Sequence, residues 1–212
     1  GKILRVNLST GNFAEEDLSP GLARAYIGGL GLATKLFIDN VDPGVDPLGP
    51  ENKLVFAAGP LAGTGFPSAS TYGVCTKSPE TGIWAGGTCS GFWGGNLKAA
   101  GYDALIIEGK AEKPIFLSIS PGGVEIRDAG AIWGKDTFQT QAAIAEELGG
   151  RVRVSAIGPA GEKQVPIAAI QNNEGGLPTR GGIGAVMGSK NLKAIAVRGT
   201  RRASVASGEK MR

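Results

Sequence analysis

Histidine is absent from the 212 residues of the chain. This absence removes the side chain that most often serves as a general base and as a metal ligand near neutral pH. Ser–His and Cys–His arrangements for nucleophilic catalysis are therefore excluded. The chain is better equipped to hold a ligand than to carry out acid–base chemistry with its own side chains.

Cysteine is scarce, with only Cys75 and Cys89 in the chain. The two residues lack the C-x-x-C spacing of zinc and iron–sulfur sites, so we expect no such site made by this chain alone. A disulfide between them stays open as an alternative. Two reduced cysteines in the core of a cytosolic protein are the favoured interpretation, and we expect a cytoplasmic location.

Long apolar runs and strong net charge are also missing. No apolar run reaches the ~18 residues that a membrane-spanning helix needs, and no secretory leader pattern is present. The net charge is only +3, without a basic tract that carries interleaved aromatic residues. We therefore expect neither a membrane nor a nucleic acid as partner.

Glycine, by contrast, is abundant: 36 of the residues are glycine, more than double the average of ~7%. The glycines stand at the ends of apolar runs, which indicates turns between strands. Strands outnumber helices without regular alternation, which favours an α+β fold with mixed sheets. The strands are predicted at residues 3–8, 13–16, 54–58, 72–76, 115–119, 124–127, 152–157, 165–170 and 192–197, and the helices at 20–27, 31–40 and 137–148.

A glycine-rich stretch begins at Thr179 and contains four glycines between Gly181 and Gly188. Such a turn lets the backbone approach a ligand closely, and we expect it to present amide groups at a helix N-terminus, where an anion is favoured. Arg180 adds a cation that can form bidentate hydrogen bonds. The spacing matches neither a dinucleotide fingerprint nor a phosphate-binding loop.

This stretch has an earlier counterpart, which indicates an internal duplication over residues 53–110 and 151–199. Gly59-Pro60 and Gly158-Pro159 each follow an apolar strand, and Asn-Leu-Lys-Ala occurs at 96–99 and again at 191–194. We predict two strand–turn–strand units related by a pseudo-two-fold axis. Their glycine turns, at 86–95 and 175–184, are predicted to face one groove that suits a two-fold ligand.

Seven segments together resemble the N-terminal domain of the aldehyde:ferredoxin oxidoreductase family. They cover essentially the whole chain in order and lie at residues 4–11, 47–54, 58–64, 76–82, 100–104, 157–162 and 180–194. The resemblance implies a domain at 1–200, followed by a linker at 201–212 towards C-terminal domains. It also implies a tungsten (or molybdenum) ion held by two pyranopterins, with magnesium bridging their phosphates.

The family's pterin contacts fall on identifiable positions of this chain. They are Thr71, Thr88, Ser90, Gly91, Gly176, Leu177, Thr179, Arg180, Gly181 and Gly182. The resemblance further assigns the backbone carbonyls of Thr88 and Leu177 to the magnesium ion. Thr71 and Thr88 stand where the family pattern has an arginine and an asparagine. Gly176-Leu177 replaces an Arg-Ala pair, so we expect less positive charge around one phosphate.

Full-length members of the family oxidise aldehydes to carboxylic acids and pass electrons through a 4Fe-4S cluster to ferredoxin. The resemblance places the cluster ligands outside this chain and implies that the chain alone is inactive. An open cofactor groove favours dimerisation, so a homodimer is one expected arrangement. Two alternatives stay open: a nicotinamide-dependent Rossmann-type oxidoreductase, and a paralogue that carries cofactor without catalysing a reaction.

Overall fold

A computed structural model describes residues 1–149, 151–172, 176–178, 180–201, 203, 205 and 207–209. Within these residues the chain forms two mixed β-sheets and six α-helices. The predicted α+β class is confirmed.

The elements are as follows. The first part of the chain contains β1 (Lys2–Asn7), β2 (Asn12–Asp17), α1 (Pro20–Tyr26), α2 (Gly29–Asn40), β3 (Leu54–Ala58), β4 (Thr71–Lys77), β5 (Trp84–Ser90), α3 (Phe92–Ala100) and β6 (Ala104–Glu108). The second part contains β7 (Ile115–Ser120), β8 (Gly123–Asp128), a 3-10 turn (Gly130–Ile132), α4 (Thr137–Leu148), β9 (Arg153–Ala156), α5 (Pro159–Glu162), β10 (Gln171–Asn172), α6 (Ile183–Ser189) and β11 (Leu192–Val197).

Five strands of the first sheet repeat the topology of the second, and the sixth, the edge strand β5, has no counterpart among the described residues. The first has the strand order β2-β1-β6-β3-β4-β5, and the second has β8-β7-β11-β9-β10. In each sheet, the first strand of the opening hairpin pairs parallel with the last strand of that part of the chain, β1 with β6 and β7 with β11. All other neighbouring strands pair antiparallel. The repeated unit thus includes the hairpin and helix that precede the predicted halves. The superposition of 53–110 on 151–199 stays a prediction.

Two helices are packed between the sheets and two cover the outer faces. Both α3 and α6 contact strands of each sheet, and the central core contains apolar residues from both sheets. The outer face of the first sheet packs against α2, and that of the second packs against α4. Each sheet is therefore buried on both faces, which explains the continuous apolar run of β3 and the sequence of β11, which is apolar apart from Lys193.

Local capping signals set several helix boundaries. The Ser19 side chain accepts a hydrogen bond from the backbone N–H of Leu22, and Pro20 occupies the first turn, as predicted. At α4, Asp136 and Gln139 form a reciprocal capping box. Such boxes satisfy backbone donors that a helix start would otherwise leave without partners.

Three predictions of local structure were wrong. Residues 86–90 form the strand β5, because their glycines pair regularly with β4. Residues 92–100 form α3 despite two internal glycines. Packing explains the glycine at position 94, because an added Cβ there would lie only 2.9 Å from the Cβ of Tyr72. Residues 165–170 are not a strand. Pro166 lacks a backbone donor, and the carbonyl oxygen of Ala168 accepts a hydrogen bond from Gly184.

The repeated Asn-Leu-Lys-Ala sequence does not occupy equivalent positions. Asn96 lies inside α3, whereas Asn191 lies in the turn before β11 with a φ of 56°. The two Gly-Pro pairs do correspond, since each follows the strand that pairs antiparallel with the last strand of its unit. The repeated topology therefore depends on strand order and only partly on short sequence matches.

Candidate functional site

The residues that the resemblance assigns to cofactor come from two separate parts of the chain. One set lies on or beside the edge strand β5 of the first sheet, and the other lies between β10 and α6 of the second part. An ideal Cβ at Gly176 would contact Cys89 and Ser90, and one at Gly181 would contact Ala85. Within the segment 176–182, Gly176 and Gly181 therefore lie alongside β5, in the order opposite to that of the strand.

Gly176 lies too close to β5 for any side chain. A Cβ there would be 2.6 Å from the Cys89 Sγ and 2.9 Å from the Ser90 carbonyl oxygen. Real Cβ atoms do not approach other atoms so closely, which explains glycine at this position. The carbonyl oxygen of Gly176 in turn accepts a hydrogen bond from the backbone N–H of Asn172 at 2.9 Å.

Gly182 is a packing residue at the start of α6. Its φ is 68°, and a Cβ would overlap the carbonyl oxygen of Pro166. All residues of α6 are buried, and the N–H of Gly184 donates to Ala168. The expectation that this helix start presents its amides to an anion was therefore wrong, because protein carbonyls and apolar contacts cover it.

Three hydroxyl groups lie at the edge of the first sheet. Thr71 pairs with Ser90 across β4 and β5, and their hydroxyl oxygens are 3.4 Å apart. Thr88 lies two residues before Ser90 and so projects to the same face of the strand. Thr88 and Ser90 are exposed and Thr71 is half-buried. Hydroxyl groups of this kind can bind phosphate oxygens.

The start of α2 is a further feature of this face that the sequence argument missed. The backbone of Leu30 lies directly against Gly73, which is the cross-strand partner of Thr88. The helix has 12 residues, and its first residues include Gly29 and Gly31. The signal in the sequence was this cluster of glycines, which was interpreted only as the boundary between the helices predicted at 20–27 and 31–40.

A groove lies on the other side of the segment, next to Arg180. Its volume is about 510 Å³, and Glu80, Ile83, Trp84, Ile167 and Arg180 are among its lining residues. Arg180 and the apolar side chains are exposed, with Ile83 and Ile167 each 68% accessible. A cation beside exposed apolar surface suits a ligand that has an anionic and a flat organic part.

The remaining assigned residues lie close to these. Gly91 caps the start of α3 with a φ of 122°, and Leu177, which is 49% exposed, follows Gly176. Thr179 lies outside the described residues. The structure thus brings most of the assigned positions to one sheet edge, with the hydroxyl groups on one face of β5 and Gly176 and Gly181 against the other.

The described residues contain no group of three or more Asp, Glu, Cys or His side chains that could hold a metal ion. Cys75 and Cys89 are both buried thiols, and burial raises the pKa of Cys75 to about 12. The donors at this sheet edge, hydroxyl groups near the end of β5 and Arg180 near its start, are of the kind that the phosphate oxygens of a pterin accept.

Along the described chain, no helix has both the length and the apolar composition that a membrane crossing requires.

Comparison with known families gives one match. Residues 3–199 match the family described as "Aldehyde ferredoxin oxidoreductase, N-terminal domain". The match covers most of the chain.

Curated relatives agree with this match. A tungsten-containing aldehyde ferredoxin oxidoreductase of Pyrococcus furiosus is 50% identical over 99% of this chain and 35% of its own length. The WOR-like subunit of an aliphatic sulfonate oxidoreductase from the same organism is 38% identical, over 94% of this chain and 34% of its own length. The chain thus spans about a third of the length of these relatives.

Among solved structures, the active site complex BamBC of benzoyl coenzyme A reductase, in complex with 1,5-dienoyl-CoA, contains a similar chain. It is 43% identical, with a TM-score of 0.96 over 99% of this chain and 32% of that chain.

Proposed function

Because the chain belongs to the aldehyde ferredoxin oxidoreductase family, as its N-terminal domain, we propose that it binds the pterin cofactor of a tungsten enzyme. The enzyme oxidises aldehydes to carboxylic acids and passes the electrons to ferredoxin.

One observation carries the proposal. The positions assigned to the pterins lie in two segments, 71–91 and 176–182, that are far apart in sequence but adjacent at one sheet edge. The adjacency arises because segment 176–182 of the second part packs along β5 of the first part. A ligand with two similar halves suits a site to which both repeated units contribute.

The residues of this chain hold the phosphate ends of the cofactor. The hydroxyl groups of Thr71 and Ser90 donate to phosphate oxygens, and the Arg180 guanidinium supplies charge-assisted hydrogen bonds. The backbone carbonyls of Thr88 and Leu177 are oxygen donors of the type that magnesium prefers. With Gly176 in place of the family arginine, Arg180 carries more of the charge compensation.

The bound tungsten bis-pyranopterin supplies the redox chemistry. The chain orients it and excludes water from it, since the exposed Ile83, Trp84 and Ile167 form an apolar wall beside Arg180. Later domains of the same polypeptide complete the site and hold the 4Fe-4S cluster, for which this chain offers no cysteine motif. We place the enzyme in the cytoplasm, with ferredoxin and the aldehyde as partners and a homodimer as the assembly.

The nicotinamide alternative finds no support in the fold. A dinucleotide site needs a parallel sheet and a helix start that faces the ligand. Here each sheet contains a single parallel strand pair, and the start of α6 is buried against Ala168. The non-catalytic paralogue differs from our proposal only in turnover, so an activity measurement separates the two.

The test uses the full-length protein, purified without oxygen. We expect tungsten and about two pterins per polypeptide, and reduction of ferredoxin that depends on an added aldehyde. Pterin without turnover of any aldehyde would indicate the non-catalytic paralogue. Turnover of an aromatic acyl-CoA instead of aldehydes would place the enzyme with the reductase that shares its fold. Absence of both pterin and tungsten would refute the proposal.

A matched pair of variants tests the role of Arg180. Arg180→Ala should lower the retained pterin, and the loss should increase with salt because an exposed charge is screened. Arg24→Ala removes an exposed arginine from α1 and should leave the pterin content unchanged. Equal pterin retention in both variants at every salt concentration would remove Arg180 from the site.

A further inference from the structure

Four buried polar side chains join the two sheets directly behind the candidate site. Tyr72 and Cys89 belong to the first sheet, and Ser155 and Asn172 to the second. Asn172 is central: its Oδ1 accepts hydrogen bonds from the Tyr72 hydroxyl at 3.0 Å and from the Ser155 hydroxyl. Its Nδ2 donates to the Cys89 Sγ at 3.0 Å. Each of the four is at least 95% excluded from solvent.

Asn172 also holds the start of the glycine-rich segment. Its backbone N–H donates to the Gly176 carbonyl oxygen at 2.9 Å. Gly176 lies against Cys89, which accepts the hydrogen bond from the Asn172 side chain, and against the carbonyl of Ser90. One residue therefore fixes the segment from two directions, through its main chain and through its side chain.

We propose that Asn172 is a positioning residue: through Tyr72 and Cys89 it fixes Gly176 and Leu177 against β5. It thereby sets where the phosphate end of the pterin is held. The identity of the ligand rests on the proposed function, whereas the ordering of the segment does not. All the side chains of the network are buried, so they act through the segment and make no contact with cofactor.

A general structural role alone does not account for where the network lies. The two parts of the chain are also joined away from this network, by the hydrogen bond from the Lys190 ammonium to the Gly109 carbonyl. The Asn172 network lies instead beside the edge strand β5, which has no strand partner on its outer side among the described residues. A buried network that is fully satisfied fixes a single local conformation.

The chemistry of the buried groups indicates that loss of the Asn172 side chain would favour local opening of segment 176–182. Burial raises the pKa of Tyr72, so its hydroxyl stays protonated and available as a donor. Removal of the Asn172 side chain leaves Tyr72 and Ser155 without this acceptor in a buried environment. Unsatisfied buried groups of this kind are relieved when the segment opens to water, so removal should favour opening.

The test compares Asn172→Ala with Thr76→Val in the full-length protein. Thr76 is also buried, and its hydroxyl donates to the Lys53 carbonyl at 2.8 Å. It lies on the same strand as Tyr72 but takes no part in the Asn172 network, and its cross-strand partner is Ala85 rather than Cys89. The readouts are hydrogen exchange at the Leu177 and Gly181 amides, pterin content, and the free energy of unfolding. Both amides are measured in protein freed of cofactor as well as in the protein as purified.

We expect Asn172→Ala to speed exchange at Leu177 and Gly181 by about tenfold or more, which corresponds to one lost buried hydrogen-bonding group. Pterin should also dissociate faster, whereas Thr76→Val should show neither effect at a comparable loss of stability. Cys89→Ser keeps an acceptor for the Asn172 amide and should retain more pterin than Cys89→Ala.

The outcomes separate the two proposals. Equal exchange rates in Asn172→Ala and Thr76→Val would show that Asn172 has only a general structural role, and the positioning proposal would be wrong. Faster exchange with unchanged pterin dissociation would overturn its link to the cofactor. If the unmodified protein binds no pterin, the proposed function fails, yet the exchange of the cofactor-free protein still decides whether Asn172 orders the segment.

Discussion

The indole Nε1 of Trp93 donates a hydrogen bond to the carbonyl oxygen of Ile195 at 3.1 Å. Trp93 belongs to α3 of the first part and Ile195 to β11 of the second, and both are fully buried. The Trp93 ring also packs against Tyr72, with ring centroids 4.8 Å apart. This residue therefore joins the two sheets by both packing and hydrogen bonding.

Trp93→Phe should lower the free energy of unfolding by about 2–4 kcal/mol, because it removes a buried hydrogen bond and creates a small cavity. The measurement is equilibrium denaturation of the full-length protein, in the unfolding transition of this domain. Trp133→Phe, at a half-buried position, is the matched control and should cost less. Similar losses for the two variants would show that the contact with Ile195 contributes nothing beyond side-chain burial.

Lys190 should make stability depend on pH. Its Nζ is buried and donates to the carbonyls of Gly109 and Pro50. Burial, with a smaller contribution from Lys53, lowers its pKa to about 8, while Glu108 and Glu51 oppose the shift. The unfolded chain therefore binds this proton more tightly than the folded chain. The resulting loss of stability is fully present below pH 8 and declines as the pH rises towards the unfolded pKa of ~10.4.

The comparison is between the unmodified protein and Lys190→Met from pH 7 to pH 10. The stability of the unmodified protein relative to the variant should rise with pH above about 8. Lys163→Met, at an exposed position, serves as the control for the change in net charge. A stability difference between the unmodified protein and Lys190→Met that stays constant over this range would contradict the prediction.

Gly182 and Gly11 form a natural pair for testing steric packing at a positive φ. Their φ angles are 68° and 72°, but a Cβ at Gly11 has no atom within 4 Å, whereas one at Gly182 would overlap Pro166. Gly11→Ala should cost about 1–2 kcal/mol from the backbone conformation alone. Gly182→Ala should cost about 1–3 kcal/mol more, because the added methyl group forces the loop and α6 apart. Equal losses of stability for the two variants, in thermal or chemical unfolding, would show that the loop containing Pro166 moves aside at no cost.

Much of the fold could be predicted from the sequence, because local signals and burial agree there. The helix at 137–148 has a capping box and an amphipathic pattern, β3 is a continuous apolar run, and β11 is apolar apart from Lys193. The misses occurred where tertiary packing overrides local preference. Glycines in β5 and α3 read as turns, but the close approach of Gly94 to Tyr72 and the pairing of β5 with β4 select regular structure.

The site was predicted by resemblance more than by local chemistry. The glycine-rich stretch at 181–188 was interpreted as an anion-binding helix start, yet the structure buries it. The adjacency of Gly176 to β5 depends on how the two repeated units pack, and no local pattern encodes such a contact. The Asn172 network was missed for the same reason, since its four members are scattered over the sequence and become neighbours only in the folded chain.

The close approach of Gly176 to Cys89 gives a final prediction. Gly176→Ala places a methyl group within van der Waals overlap of both the Cys89 sulfur and the Ser90 carbonyl. We expect a loss of about 1–3 kcal/mol in stability together with a lower pterin content. Gly21→Ala in α1, where a Cβ has no atom within 4 Å, is the control and should be neutral or mildly stabilising.

Removal of the sulfur should relieve part of this overlap. The double variant Gly176→Ala/Cys89→Ala should be more stable than the sum of the two single changes predicts, by about 1 kcal/mol. Relief should be incomplete, because the Ser90 carbonyl, at 2.9 Å from the added Cβ, remains in place. A double-mutant cycle with unfolding free energies measures the coupling between the two positions. Strict additivity would mean that Gly176 is not held against Cys89. The main contact between the two segments of the candidate site would then be absent.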